Sequence, residues 1–266
     1  MKQRIITAVI ALPLLILLLG YANPAVFSVF MTLVLFLSLV EFNRMGLGTE
    51  HRLEQWLAAI IGATVIPLLF YENAALLFPL LTGAVLLFSL LFLFRLPAIT
   101  EVHHRLGWII LGLVYLPFLL GHLIPLRLLA DGRQWIFMTL IVIMSCDTFA
   151  YFVGSKIGKR KLYPAVSPNK SVEGAVGGLI GSIVAMMVVK FTFFPILGVF
   201  DAVLIGLLLA VMGQLGDLFE SLLKRACQVK DSGNMIPGHG GILDRLDSLL
   251  FAFPLVYYIA RYGYGG

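Results

Sequence analysis

Acids and bases recur at helical spacing late in the chain. Asp217, Glu220, Ser221 and Lys224 fall on one face of a helix, with Arg225 beside them. Asp244, Asp247 and Ser248 form a second such group, with Arg245 beside them. Between them come Lys230 and Asp231, then His239 set among Gly238, Gly240 and Gly241. Converging carboxylates repel unless a cation sits between them, and Mg²⁺ takes one or two carboxylates together with substrate phosphate oxygens. Lys meets phosphate as a point charge and Arg as a bidentate fork. Glycines let the backbone turn tightly and approach a ligand. The stretch from Ser221 to Ser248 therefore suits a phosphate-bearing substrate and a metal ion. Asp217 and Asp244 lead as metal ligands, with Asp247 and Asp147 next. The competing roles are helix capping for Asp244 and Asp247 and an interhelical hydrogen bond for Asp147. His239 can bind phosphate, donate a proton or hydrogen-bond to its own loop.

A second polar stretch, from Gly154 to Gly174, carries the basic run Lys156, Lys159, Arg160 and Lys161. Such a run anchors a loop at anionic lipid. In Ser167-Pro168-Asn169-Lys170-Ser171, Pro168 and Asn169 predict a turn. Ser167 or Ser171 can cap a helix starting near Val172, with Glu173 at its positive end. A helix N-terminus flanked by Ser and Lys170 is a phosphate site.

These groups need something to hold them, and the rest of the chain is mostly apolar. Of 266 residues, 60% are hydrophobic and 12% charged, and the mean hydropathy is +1.00. Soluble domains carry about 25% charged residues. The chain reads as an all-α integral membrane protein, because its apolar runs are continuous and lack the alternation of a barrel. About nine spans are predicted at the length a bilayer requires. They run Ile5–Leu19, Pro24–Met45, Trp56–Phe70, Ala74–Phe94, Leu106–Ile124, Trp135–Val153, Val172–Phe193, Val199–Leu218 and Leu246–Ala260. Lys2 and Arg4 before the first run resemble a signal peptide, but Tyr21–Ala25 is a poor cleavage site, so an uncleaved helix is preferred. With the N-terminus cytoplasmic, only Arg127, Arg133, Lys190 and Arg261 of the 19 Lys and Arg fall outside. That asymmetry accounts for the net charge of +5 without nucleic acid as a partner. Both polar loops then lie on the cytoplasmic face, and a polar catalytic pocket is expected there. Residues 1–132 read as N-terminal helices, and 133–266 as a catalytic region with loops 154–172 and 219–245. Cys146 and Cys227 read as free thiols, since neither has a ligand spacing.

The residues Ser221, Leu223, Lys224, Arg225, Lys230, Asp231, Gly233, Ile236, Pro237, His239, Gly240, Gly241, Ile242, Asp244, Arg245, Leu246 and Asp247 resemble the signature of the phosphatidate cytidylyltransferase family. Asp147-Thr148-Phe149-Ala150-Tyr151, Gly154, Gly158, Ser167-Pro168, Lys170 and Glu173-Gly174 extend the likeness, with Ser171 where Thr is more usual. It covers about the C-terminal half. The resemblance implies transfer of the cytidylyl group of CTP to phosphatidate in a bacterial inner membrane, with Mg²⁺, a possible second cation and a possible homodimer among membrane lipids. The residues fit that reaction, with catalytic roles expected for Asp217, Lys224, Arg225, Asp244, Arg245 and His239. Ser167, Lys170, Ser171, Ser221, Lys230, Asp231, Gly240 and Gly241 would bind substrate or nucleotide. The alternatives are a CTP-dependent transferase acting on another lipid phosphate and, in a different class, a secondary transporter. Transport sites lie near the midplane, whereas these acids gather at one face.

Overall fold

A computed structural model describes residues 13, 16–95, 99–236, 238 and 240–265. Most of the first predicted run, together with Pro237 and His239, lies outside the described residues. The described chain is almost wholly helical. In order it forms α1 (Pro24–Leu47), α2 (Arg52–Ala63), α3 (Val65–Phe70), α4 (Leu77–Arg95), α5 (Val102–Gly121), α6 (Leu123–Leu128) and α7 (Gly132–Ile157). Then come β1 (Lys161–Tyr163), β2 (Ser167–Ser171), α8 (Val172–Thr192), α9 (Val199–Ala226) and α10 (Leu243–Tyr258). Among the described residues, seven helical segments are long and apolar enough to cross a membrane. They correspond to the second through eighth predicted spans. The ninth predicted span appears as α10, whose 16 residues are fewer than those of the other seven.

The helices start and stop for local reasons. Asn23 caps α1, its Oδ1 accepting from Val26 N at 2.8 Å, and Pro24 sits at the first helical position, where no amide hydrogen is needed. The side chains of α4 are apolar yet largely exposed, Phe78 and Phe94 each at 80%. A helix with that surface needs lipid around it.

The chain divides into two compact units. The first takes the chain as far as Pro125 and adds Asp231–Arg245; the second takes Leu126–Lys230 and Leu246–Gly266. In the first unit α1 packs on α2 and α5. Phe42 stacks on Trp108 at 4.5 Å, and the indole nitrogen of Trp108 donates to the Phe42 carbonyl at 2.9 Å.

In the second unit α7 and α8 form the most closely packed pair. Gly174, Gly177, Gly178 and Gly181 of α8 face Ala150, Val153, Cys146 and Phe149 of α7. A Cβ on Gly174 would stand 2.8 Å from the Ala150 carbonyl and 3.1 Å from the Cα of Gly154. Small residues let membrane helices approach where lipid supplies no hydrophobic drive between them. Gln214 of α9 joins the pair, its Nε2 donating to the Ala175 carbonyl at 3.1 Å and lying 3.5 Å from the Cys146 sulfur. Both cysteines are free.

The segment between α7 and α8 corrects one expectation. Pro168 and Asn169 do not turn; they lie in β2, which pairs antiparallel with β1, Lys161 opposite Ser171 and Tyr163 opposite Ser167. The turn falls at residues 164–166, where Val166 N donates to the Tyr163 carbonyl at 3.2 Å. A two-stranded ribbon consists only of edges, so it tolerates a proline that donates no hydrogen bond.

Candidate active site

Ser171 ends the ribbon and starts α8, its Oγ accepting from Gly174 N at 3.1 Å. The hydroxyl is buried against Gly154 and Gly158. Removing it in Ser171→Ala should cost about 1 kcal/mol, read as a lower unfolding midpoint in detergent. Glu173, two residues on, accepts from the backbone amides of Lys159 at 3.0 Å and Arg160 at 3.2 Å. These two side chains fix the ribbon and thereby place Lys170 on β2.

Lys170 Nζ lies 2.6 Å from Asp217 Oδ2 on α9. Asp217 Oδ1 also accepts from Ser221 Oγ, one turn on, at 3.4 Å. On α10, Ser248 Oγ stands 3.3 Å from both Asp147 Oδ2 of α7 and Asp247 Oδ1. A hydroxyl has one proton, so it serves one carboxylate at a time. Asp147, Asp217 and Asp247 lie near enough to repel one another, with Lys170 and Lys224 offsetting the charge. Three helices and a strand of the second unit thus bring together Asp147, Asp217, Asp247, Lys170, Ser221 and Ser248. The side chain of Asp217 is 25% exposed, and Asp147 is exposed.

The expected cations differ in what holds them. Lys224 is buried beside Glu220, Nζ to Oε1 3.2 Å. Arg225 donates from Nε to the Val166 carbonyl at 3.3 Å and from Nη1 to the Val229 carbonyl at 2.7 Å. It ties the ribbon's turn to the end of α9. Lys230 and Asp231 are exposed, and Ser167 lies in β2 opposite Tyr163.

Asp231, Gly240, Gly241, Asp244 and Arg245 belong to the first unit. There Asp244 Oδ2 accepts from Ser232 N at 3.0 Å and Gly241 N at 2.9 Å. Both amides precede α10, so these bonds do not cap its first turn; they fold the loop onto the start of α10. Gly238 and Gly240 have φ of 78° and 82°, the left-handed region glycine favours. Ile236 N donates to the Gly240 carbonyl at 2.9 Å and closes the loop.

Gln214 and Glu41 escaped the sequence reading. Gln214 lies within the eighth predicted span. Glu41 lies within the second, is 2% exposed, and accepts from Leu243 N at 3.0 Å and Ser232 Oγ at 3.4 Å. The signal was available for both, since a polar group inside an apolar run needs a partner or a task.

Among the described residues no group of three or more His, Cys, Asp or Glu side chains is arranged to hold a metal ion. Asp217 is ion-paired to Lys170. By donor chemistry the cluster of the second unit still fits a hard cation, since it offers carboxylate and hydroxyl oxygens.

Residues 2–262 match the model of the cytidylyltransferase family. The chain belongs to that family. A Staphylococcus haemolyticus protein named phosphatidate cytidylyltransferase is 35% identical over 265 residues, covering 96% of this chain and 97% of its own. A Bacillus subtilis protein of the same name is 45% identical over 161 residues, 60% of each chain. One from Staphylococcus saprophyticus is 46% identical over 127 residues, 48% of this chain and 49% of its own.

Proposed function

We propose that the chain transfers the cytidylyl group of CTP to phosphatidate, forming CDP-diacylglycerol and releasing pyrophosphate. The observation that carries this is the likeness along almost the whole chain to the Staphylococcus haemolyticus protein of that name. A phosphate oxygen of phosphatidate attacks the α-phosphorus of CTP. The new P–O bond forms as the bond from that phosphorus to the β-phosphate bridge oxygen breaks, and pyrophosphate leaves with the electron pair. Such transfers rest on positioning and charge neutralisation. No general base is required, because the lipid phosphate is already ionised near neutral pH, so His239 is assigned to phosphate or to its loop.

Lys170 and Lys224 supply positive charge beside Asp147, Asp217 and Asp247. Arg225 holds the ribbon that carries Lys170. Asp217, with Asp147 and Asp247, would hold Mg²⁺, which would supply Lewis-acid polarisation of the phosphates. Helical spacing in the sequence makes Asp244 a leading metal candidate beside Asp217, and the resemblance assigns Asp244 and Arg245 to the same reaction and extends the proposal to a second cation and a homodimer. The distribution of Lys and Arg supports about nine spans with polar loops facing the cytoplasm. The relatives are bacterial, which supports an inner-membrane location.

The test is labelled CTP with phosphatidate and Mg²⁺ in detergent–lipid micelles. CDP-lipid and pyrophosphate should appear in equal amounts, and chelation of the divalent ion should stop both. Product from a polyprenyl phosphate but none from phosphatidate would replace the acceptor. Flux of a solute without any CDP-lipid would replace the reaction by transport.

A further inference from the structure

Glu41 is an acid buried in α1, and the reaction as written above makes no use of it. Its Oε2 receives the Leu243 amide at 3.0 Å and the Ser232 hydroxyl at 3.4 Å. Its Oε1 has no hydrogen bond among the described residues. Gly233 and Gly241 flank the carboxylate closely enough that a Cβ on either would collide with it. Ser232 and Gly241 are also the two residues whose amides Asp244 receives. One carboxylate from α1 and one from α10 therefore grip the same loop: Ser232 bonds to both, and Gly241 bonds to Asp244 while lying against Glu41. The loop runs directly into Asp244 and Arg245.

We propose that Glu41 is a positioning residue for nucleotidyl transfer, acting through Ser232, Gly241 and Leu243 to set the placement of Asp244 and Arg245. This rests on the proposed function above. The geometry also explains why residues 233 and 241 are glycines. They leave room for a carboxylate from α1, quite apart from any approach to substrate.

The experiment compares the full-length protein with Glu41→Ala and Glu41→Gln in the same micelles. It reads kcat and KM for CTP, the unfolding midpoint, and amide hydrogen exchange over residues 232–243. Glu41→Ala removes both acceptors, so exchange in the loop should rise by about tenfold or more. A displaced group near the chemistry can cost about 100-fold in rate, so kcat should fall by roughly that factor while α7, α8 and α9 exchange as before. Glu41→Gln keeps one oxygen that can accept from Leu243 and Ser232. It should restore loop protection and most of kcat. Unchanged loop exchange in Glu41→Ala overturns the proposal, as does kcat within twofold of the parent. If Glu41→Ala does not fold, Glu41→Gln decides. Protection and kcat retained together support the role, whereas protection retained with kcat lost assigns the carboxylate a different one. If the parent itself forms no CDP-lipid, the reaction is wrong, and the exchange arm still reports whether Glu41 holds the loop.

Discussion

Asp217→Asn should lower CDP-lipid formation by about 100-fold to 1,000-fold, the range seen when one group that stabilises developing charge is removed. The variant should stay folded. The Asp217 side chain is 25% exposed and its Lys170 partner 28% exposed, so little stability rests on that pair. Two things are lost at once: the charge that pairs with Lys170 at 2.6 Å, and a carboxylate near enough to act on Asp147 and Asp247. Asp244 gives the contrast. Its Oδ2 accepts two backbone amides, and the amide oxygen of Asn can accept the same two. If loop fixing is its whole task, Asp244→Asn should keep most of the activity and Asp244→Ala should lose it. If it also holds a cation, both substitutions fail, and the apparent Mg²⁺ requirement rises in the Asn variant. CDP-lipid formed at the parent rate by Asp217→Asn removes that residue from the metal assignment.

Gly174→Val should leave little folded protein. A Cβ there stands 2.8 Å from the Ala150 carbonyl, 3.0 Å from Ser171 Oγ and 3.1 Å from the Cα of Gly154. Two of the three are backbone atoms that cannot rotate aside. Overpacking of this kind costs about 1–3 kcal/mol and sometimes more, and it also strikes the hydroxyl that caps α8. The control is Gly83→Ala in α4, where nothing lies within 4 Å of the added atom. Ala is favoured over Gly in a helix by about 1 kcal/mol, so this variant should be as stable as the parent or slightly more so. Size-exclusion recovery after graded heating in detergent measures both. Recovery of Gly174→Val equal to that of Gly83→Ala would show that α7 and α8 are not in such close contact.

Seven of the helices were legible because a run of apolar residues long enough to cross a bilayer leaves the backbone few options. Asp147, Asp217 and Asp247 were legible for a related reason. A charge in oil must have a task, and helical spacing ties Asp217 to Ser221. The same rule applied to Glu41, whose partners lie so far along the chain that nothing near it suggests them. That residues 231–245 fold with the N-terminal helices is likewise absent from their composition. The ribbon was misread because Pro168 and Asn169 have the chemistry of a turn. What decides is Glu173 drawing in the amides of Lys159 and Arg160, together with the cap from Ser171. Those contacts are specific, and composition does not carry them.

The Glu41–Leu243 hydrogen bond joins residues 202 positions apart. At about 5–20 residues per second, synthesis leaves roughly 10–40 s between the two. During that interval α1 must enter and stay in the membrane with an acid whose partner has not yet been made. A charged side chain costs up to about 2.5–3.5 kcal/mol on insertion scales, the figure for a helix centre, and Glu41 lies in the last third of α1. The helix meets this with a window of mean hydropathy 2.3. The apolarity of α1 is thus a requirement of biogenesis as well as of residence in lipid. Polar changes on its lipid-facing side should reduce the yield of inserted protein, even where they touch nothing in the finished fold.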